Sequence, residues 1–130
     1  MSNEQEILRD IPLLHQKVGR CNKAILDLER SIMQEEHDMM ALKLAMGEDE
    51  VREAQGKRRR YEQASMLANI ERHQENIKMF RESISKENET IKKTMDMIAV
   101  LEEDLKRPTE IVLDMSGNSK TPRFRDYLPS

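Results

Sequence analysis

The chain of 130 residues contains no tryptophan, two phenylalanines, two tyrosines and a single cysteine. With aromatics at 3% and hydrophobic residues at 37%, it has too few large rings to fill a compact enzyme core. Four glycines and four prolines are too few for a turn-rich β fold. One cysteine, Cys21, excludes an internal disulfide framework and fits a reducing compartment. Residues 1 to 10 have no apolar core of the signal-peptide kind, and nowhere do 18 uncharged apolar residues follow one another. A net charge of −3 gives no global pull toward nucleic acid or an anionic membrane. These absences predict a soluble, intracellular, all-α protein of long helices.

What the sequence has in quantity is charge, 36% of residues, interleaved with a sevenfold apolar repeat. Leu14, Val18, Cys21, Ile25, Leu28, Ile32, Met39, Leu42 and Met46 follow 4-3 spacing, interrupted only where Glu35 takes a core position. A second repeat places Ile70, Ile77, Ile84, Ile91, Ile98 and Leu105 seven apart. Its alternate core positions are mixed: His73, Phe80, Glu87, Thr94 and Leu101. The two repeats differ in phase by three residues, which fits either a stammer in one rod or two helices joined between Gly47 and Gly56.

Proline and glycine set the expected boundaries. Pro12, just after the capping candidate Asp10, suits the first turn of a helix, and Pro108 ends the second. The reading is an elongated coiled coil: an N-terminal segment 1–11, helix 12–46, a polar connector 47–57, helix 58–107 and a mostly disordered tail 108–130. Laid antiparallel about the connector, Ile32 would fall near Leu67 to Ile77 and Leu14 near Ile91, leaving Met95 to Leu105 overhanging. That end carries surplus apolar surface (Met95, Met97, Ile98, Val100, Leu101, Leu105), so it should be buried on more than one side. A helix over 58–107 is roughly 75 Å long, more than so small a chain could bury unaided. Both stripes, together with Phe80 and Met95, are therefore expected to face other coiled-coil subunits in a hetero-oligomer. Ten methionines suit adaptable partner surfaces.

Little in the sequence points to chemistry. His15, His37, His73 and Cys21 lack the close spacing of a zinc site, and no Gly-rich phosphate loop or nucleophile–base pair stands out. No catalytic residue, metal, cofactor, small-molecule substrate or membrane contact is expected. Lys57, Arg58, Arg59 and Arg60 form one basic run. It reads either as a solvated helix start offset by Glu48, Asp49, Glu50 and Glu53, or as an import signal or phosphate contact. A basic run leading into a heptad is also the layout of bZIP factors, but their base-reading Asn and Ala-Ala positions are not matched here. After Pro108 come a short apolar run, Glu110 to Met115, then Thr121-Pro122 as a candidate phosphorylation site and Phe124, Tyr127 and Leu128 as a candidate docking peptide.

The segment Arg58-Arg59-Arg60-Tyr61-Glu62-Gln63-Ala64-Ser65-Met66-Leu67-Ala68-Asn69-Ile70 resembles the central signature of the THO complex subunit 7 family. Ile98-Ala99-Val100-Leu101-Glu102-Glu103-Asp104-Leu105 resembles that family's terminal helix. The resemblance implies a non-enzymatic nuclear subunit of the complex that couples transcription to mRNA processing and export, paired with other coiled-coil subunits and touching nucleic acid only indirectly. The same residue pattern also fits a kinetochore, centrosomal or vesicle-tethering subunit, or a cytoplasmic structural homodimer.

Overall fold

A computed structural model describes residues 4–106. The tail, with its apolar run, Thr121-Pro122 and Phe124, Tyr127 and Leu128, lies outside the described residues. Two helices, α1 (Glu4–Ala54) and α2 (Gln63–Lys106), form an antiparallel hairpin. At 1.5 Å per residue they are about 77 and 66 Å long.

The two sevenfold repeats are the seam. Every apolar position of the first stripe from Leu14 to Met46 is buried or half-buried, and so is every member of the stripe from Ile70 to Leu105. The phase difference thus belongs to two separate helices rather than to a stammer. The stripes face each other within one chain, the antiparallel arrangement that a turn between the two repeats allows. Each helix buries one narrow face against its neighbour and leaves the rest in water, so length is no obstacle. Phe80 is half-buried in this seam, whereas Met95 is exposed outside it.

The boundaries differ from the sequence reading at three places. α1 starts at Glu4, not residue 12, and carries Pro12 in its interior. The cause is Ile7, seven residues before Leu14, which continues the stripe and is buried. Pro12 removes a backbone hydrogen bond and costs about 3 kcal/mol in a helix interior, but it sits on the exposed side, where water reaches the freed Leu8 carbonyl. Gly47 lies within α1 and does not end it. Its position is exposed, and a helix tolerates one glycine at a cost of about 1 kcal/mol.

The turn is made instead at Gly56, whose φ of +79° is left-handed. The Lys57 N–H donates to the Arg52 carbonyl at 2.8 Å and the Gly56 N–H to Glu53 at 2.9 Å, a Schellman ending. The connector therefore runs over residues 55–62, and the run Lys57–Arg60, expected to open a helix, is in the loop. Moving the turn toward α2 also moves the register. Leu14 shares a groove with Met97 and Leu101 rather than lying at Ile91, and α1 reaches far enough back to leave no overhang.

Candidate functional site

Polar arrangements interrupt the apolar seam at several places. At the loop end, Asp49 continues the core stripe of α1 and is 0% exposed. Its carboxylate accepts the backbone N–H of Arg60 at 3.2 Å, that of Tyr61 at 3.1 Å and the Arg60 Nε at 3.4 Å. Burial alone pushes this carboxyl up, but those donors outweigh it and hold it below its usual value. Asp49 thus closes the loop by tying its end back to α1. Sequence reasoning set Asp49 only among the acids that offset the basic run, although it stands seven residues after Leu42 in the same frame.

The basic run is divided by these contacts. Arg60 also reaches Glu48 at 2.7 Å, and Arg59 reaches Glu53 at 2.8 Å with its side chain largely buried. Arg60 lies over the Tyr61 ring at 5.7 Å. Lys57 and Arg58 project from the loop as exposed cations. Two of the four cations are thus paired with upstream acids, and the run presents less positive charge than its composition implies.

In mid-seam, Glu35 is the residue that breaks the first stripe. It meets His73 Nδ1 at 2.7 Å and Asn76 Nδ2 at 3.0 Å across the helices. These hydrogen bonds, His73 first, lower the Glu35 carboxyl from its ordinary value near 4.5. One polar position in an apolar seam penalises neighbouring registers, because sliding either helix leaves the carboxylate without its partners. A lowered carboxyl stabilises the fold above its unfolded value, and that contribution drains away as pH falls through the folded one. The melting-temperature gap between the wild type and Glu35→Gln should therefore be present at pH 7 and narrow as pH falls below the ordinary carboxylate range. A gap independent of pH would remove Glu35 as the cause.

Two further seam residues are satisfied within the hairpin. Thr94 is buried and its hydroxyl donates to the Thr90 carbonyl at 2.7 Å. Burial pushes the Cys21 thiol up, and a hydrogen bond with Glu87 adds to the shift. Cys21 is thus a protonated core residue, not an activated thiolate. Among the described residues no three His, Cys, Asp or Glu side chains converge as metal ligands, and no helix is long and apolar enough to cross a membrane.

No family model, no curated protein and no solved structure matches this chain.

The residues that sequence reasoning missed are on the outside. Leu26, Met33 and Met40 each follow a seam residue by one position, and Leu44 and Val51 each follow one by two. These positions are neighbours on the side of α1 turned away from α2. All five are exposed, Met33 at 67% and Leu44 at 62%. The signal was present as two more sevenfold series, Leu26-Met33-Met40 and Leu44-Val51, running beside the stronger core repeat.

Proposed function

We propose that the chain is a non-enzymatic coiled-coil subunit of a multi-protein assembly that takes a partner helix along the outer face of α1. The observation that carries this reading is the stripe Leu26, Met33, Met40, Leu44 and Val51, exposed on a hairpin whose core is already complete. Covering five such side chains is worth on the order of 10 kcal/mol before the costs of association, the scale of a stable complex. A helix of matching apolar period is the natural occupant of such a face.

The resemblance at residues 58–70 and 98–105 favours a nuclear assembly of mRNA processing and export over a kinetochore, centrosomal or vesicle-tethering complex. In that reading Lys57 and Arg58 are the accessible part of an import signal, and contact with nucleic acid runs through the partners.

The test is isolation of the tagged full chain from cells at moderate salt, followed by reconstitution with each stoichiometric companion from purified components. Companions that include the large THO subunits support the process as well as the role. A different helical set retains the role and removes the process. A chain that binds no companion after reconstitution overturns the reading.

A further inference from the structure

The open end of the hairpin carries a groove of about 750 Å³ on the flank where α1 and α2 meet, and no residue of the outer stripe of α1 lines it. Its floor is Leu14 and Leu101, and its walls are the exposed Leu13, Met97 and Val100, the last at 60%. Ile98 is covered by α1, yet the apolar surface beside it remains open. The sequence predicts burial of this end on more than one side, and the hairpin itself covers one.

The charges on this flank describe what would cover the other. Asp10 and Asp96, the acids in the lining, are already paired, with Arg9 at 3.5 Å and with Lys92 at 3.8 Å. Lys17 and Arg20, the cations in the lining, have no carboxylate within ion-pair distance among the described residues. Lys86 and Lys93 stand two and one sevenfold steps before Val100 on the same exposed row of α2, and they too are unpaired among the described residues. Because the helices are antiparallel, all four cations lie on the loop side of Leu14 and Val100. An apolar surface that passes into unpaired cations is complementary to one that passes into carboxylates.

The backbone of the occupant follows from that of the groove. The N–H and C=O groups of both walls are hydrogen-bonded within their own helices, so an extended segment would find no edge to pair with and would bury its own polar groups unpaired. A helix brings its backbone bonds with it. We propose that this groove is a second docking site, taken by an amphipathic helix of another protein. Its apolar stripe covers Leu14, Met97, Val100 and Leu101, and its turns nearer the loop carry Asp or Glu opposite Lys17, Arg20 and Lys93. The distances agree. Arg20 stands six residues from Leu14, about 9 Å along α1, and Lys93 seven from Val100, about 10 Å along α2. Acids two turns beyond the apolar residues of the partner helix therefore reach both. The site shares no residue with the outer stripe of α1 and holds whether or not that stripe is a partner face.

The experiment is fluorescence anisotropy of two labelled synthetic peptides titrated with the purified full chain. Each peptide has about 18 residues, long enough to form a helix, with leucines at alternating three- and four-residue spacing in one half. The other half is rich in Glu in the first peptide and in Lys in the second. The Glu peptide should bind saturably and at least about tenfold more tightly than the Lys peptide, by a margin that narrows as salt rises. Val100→Asp, at an exposed position, should keep the wild-type melt and abolish binding. Lys17→Glu with Arg20→Glu should reverse the preference between the peptides. Met33→Asp with Leu44→Asp, on the outer stripe, should change neither result. No saturable binding of the Glu peptide, equal binding of the two, or binding that survives Val100→Asp would each overturn the proposal. So would self-association of the chain that Val100→Asp breaks, which would give the groove to a second copy.

Discussion

Ile77→Asp will leave the chain largely unfolded at 25 °C. Ile77 is 6% exposed near the middle of the seam, and the seam is the whole core of the described structure. Truncating a buried Ile costs about 2–5 kcal/mol in lost transfer and residual cavity. The new carboxylate adds the penalty of an uncompensated charge, close to Glu35, which accepts a hydrogen bond from Asn76 in the preceding position of α2. Small domains hold only about 5–15 kcal/mol of total stability, and a two-helix seam stands at the low end of that range. A urea titration followed by circular dichroism at 222 nm measures the loss. A midpoint close to that of the wild type would mean that the seam is not what holds the two helices.

The period and phase of that seam were legible in the sequence because they depend only on side-chain spacing. Ile70 to Leu105 and Leu14 to Met46 are buried or half-buried as the 4-3 pattern requires, and even the polar exceptions Glu35, His73 and Thr94 stand at core positions. The boundaries were less legible because several weak effects compete there. Glycine at 47 and glycine at 56 are identical as letters. What separates them is that the chain reverses after Ala54, where Asp49 can receive the N–H groups of Arg60 and Tyr61. That contact joins residues 11 and 12 apart, beyond the reach of any local rule. Pro12 misled for the opposite reason: its local cost is real, but burial of Ile7 seven residues before Leu14 offsets it.

An argument about size assigned both stripes to partner helices. Long amphipathic stripes in a short chain were read as needing other chains, but folding back at Gly56 lets each stripe bury the other. Such a hairpin leaves further apolar surface uncovered. On α1 this is the outer stripe, a weaker repeat overshadowed by the stronger one beside it.

Met33→Asp combined with Leu44→Asp will abolish assembly while leaving the hairpin intact. Both side chains are more than half exposed and point away from α2, so nothing in the fold closes around them. Surface changes of this kind usually alter stability by no more than about 0.5 kcal/mol each. In the proposed complex the same positions lie in the centre of the buried stripe. Losing two apolar anchors and burying two unpaired carboxylates there costs several kcal/mol, on the order of a thousandfold or more in affinity. A cooperative melt matching the wild type, together with loss of the companions on isolation, is the expected pair of results. Ile77→Asp should lose the companions as well, but only by unfolding. The melt therefore distinguishes a lost interface from a lost fold. If the double variant assembles normally, the outer face of α1 is not where partners dock, whatever assembly the chain belongs to.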